Sequence, residues 1–231
     1  MSDIAIKEQE VIQAAFISKV YGWMSCALVI TAAVAMWAVS TPAVFDMIFP
    51  ASGSRLPFYL LIGAEFGAVI YISARINQMS AERAGILFLI YSILNGLTLS
   101  MIFMIYTSGS IASTFLVTAL TFGIMSFYGY TTKKDLTSMG KLAMMALIGL
   151  IIATVVNIFM QSELIYWIAN YAGVLIFVGL TAYDTQKIKA MASYDDSAED
   201  SKKKAIYGAL TLYLDFINMF LYLLRIFGDR K

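Results

Sequence analysis

Three carboxylates lie within or at the edge of long apolar runs of this 231-residue chain: Glu65, Asp184 and Asp215. A charged side chain near the centre of a membrane helix costs roughly 2.5 to 3.5 kcal/mol on insertion, so such residues usually face a cavity or a partner. Two carboxylates that meet in a site of low dielectric cannot both ionise cheaply, and such a pair can titrate near neutral pH. Histidine, the usual group for that purpose, is absent from the chain. Proton sensing is therefore the chemistry that these residues indicate.

The last apolar run carries Asp215 near its middle and other polar residues on the same helix face. Steps of three and four residues place on that face Gly208, Thr211, Asp215, Asn218, Tyr222 and Arg225. A polar stripe can line a pathway, or it can bond to neighbouring helices and specify packing. We predict that this helix is central and that its polar face lies on a pathway, with Thr211 and Asn218 as candidate pore-lining residues.

Asp184 lies at the end of the sixth apolar run, with two lysines about one turn later, and by itself it could be an ordinary interface residue. Because runs six and seven are consecutive and antiparallel, we expect Asp184 and Asp215 to meet. Glu65 lies between two glycines in GAEFG, a spacing that lets helices approach closely, and it is a further candidate pore-lining residue. Arg75 closes the second run, where it could latch the aspartate pair or anchor the helix at the interface.

The composition identifies the elements that must position these residues. The chain is 60% hydrophobic and 13% charged, with a mean hydropathy of +0.78. These values exclude a water-soluble enzyme and a disordered regulator, and they predict an all-α polytopic membrane protein whose first partner is the lipid bilayer. The single cysteine, Cys26, excludes a disulfide framework and a thiolate metal cluster. A net charge of +1 without a basic block argues against a nucleic-acid partner.

Seven apolar runs are long enough to cross a bilayer, at residues 20–40, 57–74, 84–106, 111–130, 142–160, 164–183 and 205–227. They predict a cytoplasmic tail over residues 1–19 and one seven-helix membrane domain over 20–231. Lysine and arginine divide twelve to one between alternate sides, which predicts a cytoplasmic amino terminus. The basic carboxyl-terminal residues Arg225, Arg230 and Lys231 then lie outside unless the last helix is re-entrant, and we predict seven full crossings.

The longest connection, residues 185–204, contains the acidic group Asp195, Asp196, Glu199 and Asp200 followed by three lysines. A calcium-binding loop of the helix-loop-helix kind needs alternating carboxylates, a central glycine and a closing glutamate. DDSAEDSKKK lacks that pattern, so we predict a solvated loop of mixed charge.

Three runs carry a resemblance to a known family: FYGYTTKKDLTSMG, VGLTAYDTQKIK and GALTLYLDFINMFLYLLRIFG. Together with NGLTLS they resemble the Bax inhibitor-one family, also called the transmembrane Bax inhibitor motif family, in its bacterial inner-membrane branch. The resemblance implies seven helices with the last at the centre of the other six. It also implies a pH-sensitive calcium leak controlled by an aspartate pair, here Asp184 and Asp215, with Arg75 as the candidate latch. Calcium is then the transported ion, and no cofactor is expected.

Two other classes of function compete with an ion leak. Consecutive membrane aspartates also occur in intramembrane aspartyl proteases, and Tyr183-Asp184 matches the YD of that class. The second aspartate there lies in GxGD, whereas this chain has LYLD, so we expect no enzyme. The other alternative is a non-conducting regulator or partner of a membrane protease or another membrane assembly.

Overall fold

A computed structural model describes residues 3–193 and 196–231, with side chains from Lys7 onward. The chain is 87% helical, and the described residues contain no strand. Among the described residues, seven helical segments are long and apolar enough to cross a membrane: Lys7–Ser40, Leu56–Gln78, Ala81–Ile105, Ser108–Thr131, Thr137–Met160, Glu163–Ala190 and Ala198–Phe227. The predicted class of an all-α polytopic membrane protein with seven spans is confirmed.

The helices of the described residues are α1 Asp3–Ser40, α2 Pro42–Ile48, α3 Leu56–Arg75, α4 Ala81–Leu99, α5 Ile102–Ile105, α6 Ser108–Thr131, α7 Thr137–Met160, α8 Glu163–Ala190 and α9 Ala198–Phe227. A short 3-10 turn, Ile76–Gln78, connects α3 to α4. Local chemistry sets several of these ends, because Ser80 and Thr107 accept backbone N–H groups of the first turns of α4 and α6. At the end of α7, Gln161 takes a left-handed conformation with φ of 50°.

Two helices extend beyond the predicted apolar runs. Helix α1 begins at Asp3, so most of the tail predicted over residues 1–19 is the first part of this helix. Met1 and Ser2 lie outside the described residues. Helix α9 begins at Ala198 because Ser197 accepts the backbone N–H of Asp200 and Lys203 pairs with Asp200 at 2.9 Å.

The connection predicted over 185–204 is consequently much shorter. Helix α8 continues to Ala190, so that α9 follows after seven residues. Within the connection Asp196 pairs with Lys204 at 2.6 Å, whereas Asp195 lies outside the described residues.

The chain forms two compact units, and α9 contributes to both. The first unit comprises the chain up to Tyr106 together with Met191–Leu210 and Lys231. Within it α4 packs against α1 and α3. A Cβ atom on Gly96 of α4 would lie 2.7 Å from the carbonyl oxygen of Thr31 in α1, so the absence of a side chain permits this close approach. The side chain of Thr31 also donates to the carbonyl of Ser92 at 3.0 Å.

The second unit comprises Thr107–Ala190 and Thr211–Arg230, with α8 packed between α6 and α7. The residues that follow α9 contact the beginnings of α6 and α8. The backbone N–H of Asp229 donates to Ser110 at 2.8 Å, and Arg230 donates to the hydroxyl of Tyr166 at 3.3 Å. The end of α9 therefore lies beside the beginnings of α6 and α8, as seven crossings require, and full crossing of the membrane by the seventh helix stays a prediction.

The seventh span is the most buried of the seven. In its most apolar stretch 56% of the residues are buried, compared with 6% to 39% in the other spans. A helix surrounded by lipid needs no such burial, because its side chains are satisfied by the acyl chains. The location of α9 at the centre of the other six helices stays a prediction.

Candidate proton-sensing site

The second unit brings Asp184 of α8 and Asp215 of α9 together. Both side chains are buried, with 7% and 4% of their surfaces exposed, and their carboxyl groups are hydrogen-bonded to each other. An ionised carboxylate only accepts hydrogen bonds, so this contact requires a proton between the two groups. Lys187, about one turn after Asp184 in α8, is a basic side chain that interacts electrostatically with this aspartate. The pair can therefore hold or release a proton inside the helix bundle of this unit.

One oxygen of the pair is left without a hydrogen bond. Asp215 Oδ2 is fully buried and has no hydrogen-bond partner among the described residues. A buried acceptor without a partner costs about 1 to 3 kcal/mol, so such groups usually have a function or bind water or an ion. Asp215 is also the more deeply buried member of the pair.

Helix α6 holds the residues around Asp184 at very short range. A Cβ atom on Gly129 would lie 2.2 Å from the carbonyl oxygen of Ala182, two residues before Asp184. On the other side of the aspartate, Thr185 donates to the hydroxyl of Ser126 at 3.5 Å. These two contacts determine the distance between α6 and α8 at the site.

Helix α7 approaches the same segment of α8 from another side. A Cβ atom on Gly140 would lie 2.3 Å from the aromatic ring of Tyr183, so the ring packs directly on the α7 backbone. A side chain at residue 140 would displace the ring of the residue that precedes Asp184. Gly129 and Gly140 are thus positioning residues for this aspartate.

Hydrogen bonds join the connection between α6 and α7 to the last turns of α8, which follow Asp184. Gln186 accepts the backbone N–H of Leu136 at 2.9 Å and donates to the carbonyl of Lys134 at 2.8 Å. Lys189 donates to the carbonyl of Tyr130 at 3.0 Å and lies 4.4 Å from the centre of the same residue's ring. Sequence reasoning missed all these contacts, and the available signal was the polar content of DTQKIK immediately after Asp184.

On α9 an aromatic cluster follows the aspartate directly. Phe216 packs edge-on against Phe122 and Phe115 of α6, with centroid distances of 5.4 and 5.2 Å. Two turns after Asp215, the ring of Tyr222 covers Gly173 of α8, where a Cβ atom would lie 2.7 Å away. The rings fix the rotation of α9 and hence the direction of Asp215.

The other polar residues predicted for this face of α9 lie on either side of the aspartate. Thr211 is half-buried one turn before Asp215, and Asn218 is half-buried one turn after it. The amide of Asn218 donates to the carbonyl of Leu214 at 2.8 Å, within its own helix. Their pore-lining role stays a prediction.

Glu65 and Arg75 lie in the first unit and have neighbours there. The carboxylate of Glu65 is half-buried and accepts hydrogen bonds from Asn95, at 3.1 Å, and from the hydroxyl of Thr98. Arg75 is exposed, and its guanidinium donates to the side-chain oxygen of Gln78 at 2.5 Å. The pore-lining role of Glu65 and the latch role of Arg75 also stay predictions.

In the part of the chain that the structure describes, no three acidic or cysteine side chains converge as metal ligands would. The acidic chemistry of the site is that of two hydrogen-bonded carboxyl groups.

Comparison with known proteins identifies the family. The family described as inhibitor of apoptosis-promoting Bax1 matches residues 13–231. The inner membrane protein YbhL of Escherichia coli K12 is 51% identical over 218 residues, which cover 94% of this chain and 92% of that protein. A Borreliella burgdorferi protein is 46% identical over 233 residues, with 100% and 99% coverage, and the Rickettsia prowazekii protein RP147 is 41% identical, with 94% and 90% coverage. Neither the family description nor the name YbhL specifies a catalytic activity. The match over nearly the whole chain shows that this protein belongs to the Bax1 inhibitor family of membrane proteins.

Proposed function

We propose that this protein is a pH-sensitive cation leak of the bacterial inner membrane, with calcium as the transported ion and the amino terminus in the cytoplasm. The observation that carries the proposal is the buried, hydrogen-bonded pair of Asp184 and Asp215, with one oxygen of Asp215 unsatisfied. The inner-membrane location rests on the relative YbhL, whose name places that protein there. The orientation rests on the distribution of lysine and arginine.

The direction of the pH response follows from the shared proton. Loss of that proton leaves two negative charges side by side, and at about 4 Å such charges repel by about 4 kcal/mol at an effective dielectric constant of about 20. In the closed state the pair therefore keeps one shared proton and carries one negative charge, which pairs with a basic side chain, Lys187 or the candidate latch Arg75. A second proton removes this charge and with it the ion pair, so the helices are free to separate. The leak should thus increase as the pH falls.

Asparagine substitutions test the role of the pair directly. Asn has nearly the shape of protonated Asp and can donate a hydrogen bond to the remaining carboxyl group, but it does not titrate. Purified wild-type protein in liposomes that contain a calcium-sensitive dye should show increasing influx from mildly alkaline to mildly acidic pH. Asp184→Asn and Asp215→Asn should make the leak nearly independent of pH.

Asp46→Asn is the matched control, because Asp46 is exposed in α2 and lies outside the pair. This variant should keep the wild-type pH response. An unchanged acid response in both pair variants would show that other groups sense the proton. The absence of any cation flux from correctly folded protein would overturn the leak and favour a non-conducting regulator.

A further inference from the structure

A small cavity lies where α3 ends and α4 begins, within the first unit. Its volume is about 130 Å³, and it is lined by Tyr71, Arg75, Gln78, Met79, Arg83 and Leu87. The cavity has room for several water molecules or for one small polar group. The lining contains two guanidinium groups and no carboxylate.

The two arginines place two positive charges at this cavity, and no carboxylate is among its lining residues. Arg75 donates to the neutral side chain of Gln78, and in the described part of the chain neither Arg75 nor Arg83 forms an ion pair. Like charges around one small cavity repel each other unless an anion lies between them. A phosphate group fits this requirement, since guanidinium groups bind its oxygens in a bidentate manner.

The remaining lining residues indicate where such a phosphate group comes from. Tyr71 lies one helical turn before Arg75, and Leu87 lies one turn after Arg83, so each arginine has a less polar neighbour deeper in its membrane span. Beside them, Ile70 and Ile86 expose 65% and 51% of their surfaces on the outside of α3 and α4. A charged cavity at the helix ends next to an exposed apolar surface matches the two parts of a phospholipid.

We propose that this cavity binds the phosphate group of an anionic phospholipid whose acyl chains lie along α3 and α4. The acyl chains do not fit in a cavity of this volume and must therefore extend over the exposed apolar residues. Free phosphate would satisfy the arginines but would leave the contacts with Tyr71 and Leu87 unused. The proposal does not depend on whether the protein conducts ions.

The test measures lipid binding to the purified full-length protein by native mass spectrometry. Phosphatidylglycerol, phosphatidylcholine and inorganic phosphate are the probes, and the variants are Arg83→Gln and the double variant Arg75→Gln with Arg83→Gln. Loss of one arginine near anionic lipid should weaken phosphatidylglycerol binding about fivefold, and loss of both about 25-fold. Arg83→Lys keeps the charge but not the planar fork, so its binding should be intermediate.

Lys133→Gln with Lys134→Gln is the matched control, because these exposed lysines lie in another short connection. It removes the same charge and should change binding less than about twofold. An equal loss in this control would indicate a general surface charge effect and overturn the site.

The choice of lipid tests the ligand. Equal binding of phosphatidylcholine and phosphatidylglycerol would show that net anionic charge is not recognised and would overturn the assignment to an anionic phospholipid. If inorganic phosphate alone displaces phosphatidylglycerol at similar concentrations, the site binds free phosphate and the lipid assignment is wrong. The substituted side chains are exposed, so each variant should fold, and its thermal unfolding midpoint is compared with that of the wild type as a check.

Discussion

Replacement of Gly129 by alanine should separate α6 from α8 at the aspartate pair. The added methyl carbon would lie 2.2 Å from the carbonyl oxygen of Ala182, whereas ordinary van der Waals contact begins at 3.4 Å. The added carbon is attached to the α6 backbone and the oxygen belongs to the α8 backbone, so no flexible side chain can move to relieve the clash. The two helices must therefore separate by at least about 1.2 Å.

The separation acts on the site because Ala182 is two residues before Asp184. The hydrogen bond from Thr185 to Ser126, already 3.5 Å long, would be lost. Forcing an extra methyl group into a packed contact costs about 1 to 3 kcal/mol. Alanine also gains about 1 kcal/mol over glycine in helix propensity, so the packing cost must be measured against a second Gly→Ala variant.

Gly123→Ala supplies that comparison in the same helix. Gly123 is exposed, and nothing lies within 4 Å of the position that its Cβ would occupy. The gain in propensity is common to both variants, so their stability difference isolates the packing term of about 1 to 3 kcal/mol. Thermal unfolding in detergent should place the midpoint of Gly129→Ala several degrees below that of Gly123→Ala.

The pH response of the leak provides a second measurement on the same variants. Gly129→Ala should shift or weaken the acid response because Asp184 moves relative to Asp215, whereas Gly123→Ala should keep the wild-type curve. Equal unfolding midpoints for the two variants would refute the close α6–α8 packing on which this reasoning depends.

Two further predictions concern the connection between α6 and α7. Gln186→Ala leaves the backbone N–H of Leu136 and the carbonyl of Lys134 without their partner, so amide hydrogen exchange should become faster in residues 132–136 and remain unchanged in α8. Unchanged exchange would mean that Gln186 does not hold this connection. Hydrogen bonds from the Thr137 side chain and backbone lower the pKa of Asp135 below its ordinary 3.8. Its contribution to stability is therefore complete above that value and is lost as the pH falls through the lower folded-state pKa. Thermal unfolding over a pH series should show a small wild-type advantage over Asp135→Asn at neutral pH that disappears in acid, and an advantage that persists in acid would contradict this assignment.

The seven spans could be predicted from the sequence, but the true ends of α1 and α9 could not. An apolar window detects the part of a helix that contacts lipid or a packed interior. Helical hydrogen bonding continues through polar residues wherever a cap and favourable charge pairs support it, as Ser197 and the pair of Asp200 and Lys203 do for α9. Residues 198–204 of the mixed-charge segment predicted as a loop are consequently part of the last helix.

The glycines show why the surroundings of the site were not predictable. Gly123 and Gly129 both lie in α6 within apolar sequence, and nothing local distinguishes them. A Cβ atom would enter open space at Gly123 but would clash with α8 at Gly129. The difference depends on which side of α6 faces α8, and that is decided by side chains far away in sequence.

The sequence by itself determined that this is a membrane protein with seven spans, and it identified Asp184 and Asp215 as residues with chemistry. Both conclusions depend on local quantities, the apolar length of a run and the cost of placing a charge inside it. Only the tertiary structure decided that the two carboxyl groups share a hydrogen bond, that one oxygen of Asp215 is unsatisfied, and that Arg75 lines a cavity with Arg83. Such contacts depend on the rotation and approach of helices, which packing between distant segments determines.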